Sequence, residues 1–154
     1  MAKLARDVMT NDVIMIAVGS SLAEAQSLMK EHGIRHLPVV DQDQRIVGIL
    51  SNSDLSFFKD SKMYPVEDFM SQPVQTMNQS ASLMDAIDTM LEKKISSVLV
   101  VNDDEELVGI VTTDDLIQVL GQALRKDSHK RPLSTLFDIE SLDEIAYKIS
   151  QTGI

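Results

Sequence analysis

Two stretches of the chain carry the same pattern without a gap. Residues 6–55 read RDVMTNDVIMIAVGSSLAEAQSLMKEHGIRHLPVVDQDQRIVGILSNSDL, and residues 67–116 read EDFMSQPVQTMNQSASLMDAIDTMLEKKISSVLVVNDDEELVGIVTTDDL. The offset between them is 61 throughout, and 17 of the 50 aligned positions are identical. An ungapped repeat of this length is typical of one structural unit built twice, in which neither half need be stable alone. Any site formed by one half therefore has a related counterpart in the other.

The composition narrows the class of protein. The 154 residues, 44% hydrophobic and 25% charged, suit one globular domain or two small units that share a core. The lack of cysteine excludes a disulfide framework, a thiolate metal site and a cysteine nucleophile. No apolar stretch approaches the roughly 18 residues of a membrane span, and the N-terminus lacks the apolar run of a signal peptide, so we expect a cytoplasmic protein. The net charge of −10 argues against nucleic acid as the main partner.

Hydrophobic periodicity predicts the order β-α-β-β-α in each repeat. In the first repeat, a short strand at 13–16 precedes a helix that begins after Ser21. Two strands at 37–40 and 46–50 then flank a polar turn, and a second helix starts near Asp54. This order is mixed rather than strictly alternating and therefore predicts an α+β fold of sheets and helices. The second repeat is expected to carry strands at 74–77, 98–101 and 107–111 and helices that start after Ser82 and near Asp115.

At five predicted helix starts, a Ser or Thr is followed three residues later by an acid. The structural interpretation is a capping box, in which hydroxyl and carboxylate each satisfy a backbone amide at the start of a helix. What distinguishes two of the segments is a glycine inside the preceding strand, Gly48 or Gly109, which often marks close approach by a ligand or another backbone. The five segments are 21–24, 51–54, 82–85, 112–115 and 141–144.

The same two segments also fit a nucleotide. A hydroxyl at the point where a strand becomes a helix lies beside free amides and the positive end of the helix dipole, which favours phosphate. A carboxylate three residues later can accept hydrogen bonds from the two vicinal hydroxyls of a ribose. The spacing alone leaves the capping and the nucleotide interpretations open.

Metal binding is less favoured than its structural alternatives. The acidic residues around Asp43 and Asp104 lie in polar turns and lack the glycine and glutamate positions of a calcium loop, so we interpret them as solvated turns. His32 and His36 are four residues apart, but Gly33 separates a helix from a strand there and breaks the common face that a zinc pair needs. No metal is expected.

The motifs, in their order and repeated twice, resemble the CBS-domain pair. The first copy carries DVMT at 7–10, HLPVVD at 36–41 and GILSNSDL at 48–55. The second carries DFMS at 68–71 and GIVTTDDL at 109–116. The resemblance covers residues 6–125. It implies two tandem β-α-β-β-α units packed pseudo-symmetrically through their sheets, at 1–64 and 65–126, followed by a connector and amphipathic helix at 127–154.

The resemblance also implies roles for particular residues. Asp54 and Asp115 would accept hydrogen bonds from ribose hydroxyls, and Ser51 and Thr112 would lie near phosphate. The segment at 35–38 and its equivalent at 96–99 would enclose the base. The implied binding residues are Met15, Arg35, His36, Pro38, Ser51, Asp54, Thr76, Lys94, Ser97, Thr112 and Asp115.

The two copies depart from the family pattern in different places. Family members often carry threonine on the first strand, which Thr76 keeps and Met15 replaces. The family proline is present at Pro38 and absent at Leu99. The two pockets are therefore expected to be unequal. Arg35, Lys93 and Lys94 are the nearest cations for phosphate, with surface solubility as their alternative role.

We therefore expect a non-catalytic regulatory module that binds AMP, ADP, ATP or S-adenosylmethionine and relays the change to a client protein. The alternatives are a dimerising scaffold with degenerate pockets and a Mg²⁺-linked sensor. Each repeat has two amphipathic helices of which the sheets can cover only one side, so a C2 homodimer is expected. The tail carries a helix signal after Ser141, with Leu142, Ile145 and Ile149 on one stripe. It must pack on this module, a second copy or a partner.

Overall fold

The computed structural model describes residues 3–55 and 64–127. The helix expected after Ser141 lies outside these residues. Two compact units are present, Met1–Thr113 and Asp114–Ile154, and both sheets belong to the first. No helix in the described part of the chain has the length and apolar character needed to cross a bilayer. The elements are β1 (Ile16–Ala17), α1 (Leu22–His32), β2 (His36–Val40), β3 (Ile46–Ser51), α2 (Asn52–Leu55), β4 (Thr76–Asn78), α3 (Leu83–Lys93), β5 (Ser97–Val101), β6 (Leu107–Thr112) and α4 (Thr113–Asp127).

The α+β fold is confirmed, with two three-stranded sheets of the same topology. In one sheet β2 lies between β1, which is parallel to it, and β3, which is antiparallel; β5 lies between β4 and β6 in the same way. The first strands begin later than expected, at Ile16 and Thr76, because only the last residues of the central strands pair with them. The final helices begin two residues earlier than expected, at Asn52 and Thr113.

Each sheet is extended by a segment from the other repeat. Thr10 and Ile110 exchange two backbone hydrogen bonds of 2.9 and 3.0 Å, and Ser71 and Ile49 exchange two of 2.8 and 3.2 Å. Val66, which precedes the second of these segments, is fully buried in the core of the first repeat. The repeats therefore share their cores, as expected for units that need not be stable alone.

The helix ends follow the sequence signals. Ser21 and Ser82 form capping boxes with Glu24 and Asp85. The backbone and side-chain hydrogen bonds from Ser21 lower the pKa of the exposed Glu24 carboxyl. The helices end in the left-handed conformation, at Gly33 with φ 64° and at the equivalent lysine with φ 55°. A glycine suits this conformation but is not obligatory there.

The polar turns are held by their own side chains. Oδ1 of Asp41 accepts hydrogen bonds from the amides of Asp43 and Arg45, both 2.9 Å. Asn102 does the same for two amides in the second repeat. Within residues 3–55 and 64–127, no group of three His, Asp or Glu side chains is placed to hold a metal ion.

Candidate ligand-binding site

The two strand glycines receive methionine side chains from the other repeat. A Cβ placed on Gly48 would lie 2.6 Å from Cγ of Met70, and one on Gly109 would lie 2.8 Å from Cγ of Met9. Neither glycine has a positive φ, so the space, not the backbone conformation, requires glycine. The group that approaches each glycine is therefore a methionine side chain. It belongs to the segment that extends the sheet and lies next to the residues whose backbones bond to that sheet.

The segment that joins β3 to α2 forms a tight polar cluster. Oδ2 of Asp54 accepts hydrogen bonds from the amide of Ser51 at 2.8 Å and from its hydroxyl at 2.6 Å. The hydroxyls of Ser51 and Ser53 are 2.7 Å apart. Oδ1 of Asp54 has no hydrogen bond from the described residues. The carboxylate half of the expected capping box is thus present, since one oxygen accepts from the Ser51 amide, and the other oxygen can accept a hydrogen bond from a ligand.

This cluster opens into a cavity of about 380 Å³, which we call the first cleft. The first repeat contributes the end of β3 and the start of α2. The second repeat contributes residues 71–75, which lead from the bridging Ser71 towards β4, and residues 94–97, which lead from α3 into β5. Its lining residues are His36, Ile49, Ser51, Ser53, Asp54, Ser71, Pro73, Val74, Gln75, Lys94, Ile95, Ser96 and Ser97.

A smaller recess of about 220 Å³ adjoins the first cleft and shares four of its lining residues. Nε2 of His36 and the hydroxyl of Ser96, both in the shared wall, are 2.7 Å apart and connect the two repeats. The recess adds one cation, Arg35. A backbone amide nearby, that of Thr113, donates a hydrogen bond to the carbonyl of Ser96 at 3.0 Å. Hydroxyls are thus the commonest polar groups on the walls of both cavities, while apolar side chains are confined to the first cleft.

The structure brings six of the predicted residues together at these cavities: Arg35, His36, Ser51, Asp54, Lys94 and Ser97. The other five line neither cavity. Pro38 is buried within β2, Met15 is 40% exposed just before β1, and Thr76 begins β4. Thr112 ends β6, opposite Ser97, and Asp115 lies in the first turn of α4.

Sequence reasoning missed the wall formed by residues 71–75. These residues belong to the second repeat, yet they line a cavity next to the helix start of the first. Ser71, the last residue of the DFMS motif, was the signal in the sequence for this wall. The repeat alone does not show which half of the chain a segment contacts. Ile49, Ser53 and Ile95 were also missed, although Ser53 and Ile95 are next to predicted residues.

The comparisons with known proteins agree with this arrangement. The family model for the CBS domain matches residues 5–59 and 66–122. The chain belongs to the CBS-domain family, and it carries the domain twice. A homoserine O-acetyltransferase from Methanohalobium evestigatum is 32% identical over 114 residues, which are 74% of this chain and 23% of that enzyme. The chain thus spans about a quarter of the length of such curated relatives.

Two similar solved structures contain adenosyl compounds. The CBS domain pair of protein MJ0100, in complex with 5′-methylthioadenosine and S-adenosyl-L-methionine, superposes with a TM-score of 0.73 at 28% identity. That match covers 80% of this chain and 99% of the other. CBSX2 in complex with AMP superposes with a TM-score of 0.66 at 28% identity, covering 78% of this chain and 97% of that one.

Proposed function

We propose that this protein is a non-catalytic sensor that binds an adenosyl compound in the first cleft and relays its presence to a client protein. The observation that carries the proposal is the position of Asp54. Asp54 lines the cleft, its Oδ2 is fixed by Ser51, and its Oδ1 accepts no hydrogen bond from the described residues. A carboxylate held in this way can accept from the vicinal hydroxyls of ribose. The absence of cysteine from the chain supports a place in the reducing cytoplasm.

The rest of the first cleft suits the other parts of such a ligand. Ile49, Val74 and Ile95 provide apolar surface for a flat base. Hydroxyls surround the remaining volume, and small-molecule sites combine apolar walls with a few directed polar groups in this way. The adenosyl complexes of the two CBS relatives support the ligand class. A ligand can change the shape of the module only by its differential affinity for two states.

A ligand screen tests this proposal. The melting temperature of the full chain is measured with adenosine, AMP, ADP, ATP, S-adenosylmethionine, NADH and MgCl₂. An adenosyl compound at 100 times its Kd adds about 2.7 kcal/mol to the free energy of unfolding, so we expect a clear upward shift. A shift with MgCl₂ alone would instead support the Mg²⁺-linked sensor, and no shift with any compound would support a scaffold.

We further propose that the protein acts as a homodimer. On α3, Met84 and Leu91 are 59% and 72% exposed and lie seven residues apart on one face. On α4, Ile117 and Leu120 are also more than half exposed. The first repeat has alanine and lysine at the positions equivalent to Met84 and Leu91. The apolar face of α3, which α1 lacks at the equivalent positions, marks an interaction surface rather than a general feature of the fold.

Leu91→Lys tests the dimer by giving α3 the residue that α1 carries as Lys30. We expect the wild type to scatter light as twice the 17.1 kDa of one chain and the variant to scatter as a monomer at micromolar concentration. Stability of the fold should change by less than about 0.5 kcal/mol, since the site is exposed. Lys30→Gln on α1 is the matched control and should remain dimeric. A wild type that is monomeric would contradict the proposal.

A further inference from the structure

We propose that the first cleft prefers an adenosyl ligand that carries a phosphate, and that Lys94 sets this preference. This inference rests on the proposed function, since it concerns the ligand of the same cleft. The preference would not extend to the positions related by the repeat, because those positions carry more carboxylates than cations.

The charges on the wall of the first cleft favour a phosphate group. Its lining has two formally charged side chains, Asp54 and Lys94, and the carboxylate of Asp54 already accepts two hydrogen bonds from Ser51. Lys94 is exposed and forms no ion pair with any residue of the described ranges. The ammonium group of a lysine at the mouth of a cavity is a point charge suited to phosphate.

The positions related to the first cleft by the repeat carry different charges. Shifting the lining residues by 61 positions replaces Lys94 with Gly33 and Pro73 with Asp12. The same shift exchanges Ser96 and Arg35, and Arg35 lines the recess that adjoins the first cleft. Arg35 therefore lies beside the first cleft, and it is also the repeat equivalent of Ser96, one of the residues that line the cleft. The related positions thus exchange the lysine for Arg35 and gain two carboxylates, Asp12 and Asp114, so phosphate is disfavoured there.

The backbone at residue 94 supplies a precise test. Lys94 and Gly33 both close their helices in the left-handed conformation, with φ 55° and 64°, and their amides bond to the carbonyls of Met90 and Met29. Glycine is the residue that this conformation favours. Lys94→Gly therefore removes the cation while the helix end is retained, with the same residue that the first repeat already uses.

Calorimetry with adenosine and with AMP measures the preference directly. For the wild type we expect AMP to bind about tenfold more tightly than adenosine, at one AMP per chain. Lys94→Gly should bring the two affinities close together without weakening adenosine, and Lys94→Arg should keep most of the preference. Lys93→Gln is the matched control, since Lys93 is the adjacent exposed lysine, lines neither cavity and pairs with Glu92 at 3.8 Å.

The possible failures are distinguishable. If the wild type binds none of the adenosyl compounds of the screen, the proposed function fails and this inference fails with it. If S-adenosylmethionine binds and AMP does not, only the inference is overturned. If adenosine binds but AMP binds no more tightly, only the inference is overturned. The inference is also overturned if Lys94→Gly weakens both ligands equally, which would make Lys94 part of the shape of the cleft. Two AMP molecules of equal affinity per chain would overturn the asymmetry.

Discussion

Replacing Gly48 with alanine is expected to destabilise the protein by about 1–3 kcal/mol, the usual cost of adding volume to a filled site. The new methyl group would lie 2.6 Å from Cγ of Met70, and still nearer to its sulfur. The backbone of Gly48 presents no obstacle, since its φ is not in the left-handed region. Chemical denaturation of the variant measures the effect. Gly109→Ala should behave alike, because Met9 occupies the corresponding space.

A double-mutant cycle separates this contact from general loss of packing. Shortening Met70 to alanine removes the atoms that the new methyl group meets, so the cost of Gly48→Ala should fall by more than about 0.5 kcal/mol in that background. Gly121→Ala on α4 is the control. There the nearest atoms are the guanidinium nitrogens of Arg125 at 3.5 Å, and alanine should stabilise the helix by about 1 kcal/mol. Additive effects at Gly48 and Met70 would contradict the contact.

The same substitution should also affect ligand binding. Ile49 follows Gly48, Ser71 follows Met70, and both line the first cleft while their backbones bond to each other. A displaced Met70 therefore moves a wall of the cleft. We expect Gly48→Ala to weaken the binding of AMP, even at temperatures where the variant is fully folded.

Asp54→Asn is expected to weaken the binding of an adenosyl compound at least tenfold, while the free energy of unfolding changes by less than about 1 kcal/mol. The amide of asparagine can still accept from the backbone of Ser51 and so preserve the helix start. It loses the charge that strengthens hydrogen bonds from ribose hydroxyls and replaces one acceptor with a donor. Calorimetry with AMP and denaturant titration give the two quantities.

Asp41→Asn is the matched control for this prediction. Asp41 lies in the turn between β2 and β3, and the second repeat already carries Asn102 at that position. We expect this variant to bind AMP as the wild type does. If Asp54→Asn keeps full affinity but loses its cooperative melting transition, then Asp54 is only a capping residue. Asp115→Asn is the parallel test of the acid in the second repeat.

The order of the elements could be predicted because each has a local cause. The helix starts at Ser21 and Ser82 were recognisable from the hydroxyl and the acid three residues on, and both capping boxes are present. The exact starts of the first strands were not predictable. Extended residues become a strand only where a partner bonds to them, and β2 reaches β1 only through Val39 and Val40.

The role of the two strand glycines could be predicted only in part. A glycine in a strand indicates that something comes close, and the candidates were a ligand or a backbone. The structure shows methionine side chains at both positions, from segments 22 residues after Gly48 and 100 residues before Gly109. Contacts at such separations depend on how the two repeats interleave, which no local pattern records.

The duplicated unit, the order of its elements and the polar cluster of Ser51 and Asp54 could all be inferred from the amino-acid sequence, since they depend on periodicity and on hydrogen bonds within a few residues. The wall that residues 71–75 of the second repeat form beside Asp54 became visible only in the folded chain, whereas Lys94 on the same cavity was among the residues that the family resemblance implied. The wall arises because the two sheets exchange segments. Backbone pairing of Ser71 with Ile49 places one repeat's chain against the other's strand, and burial of Val66 and the Met70 contact hold it there.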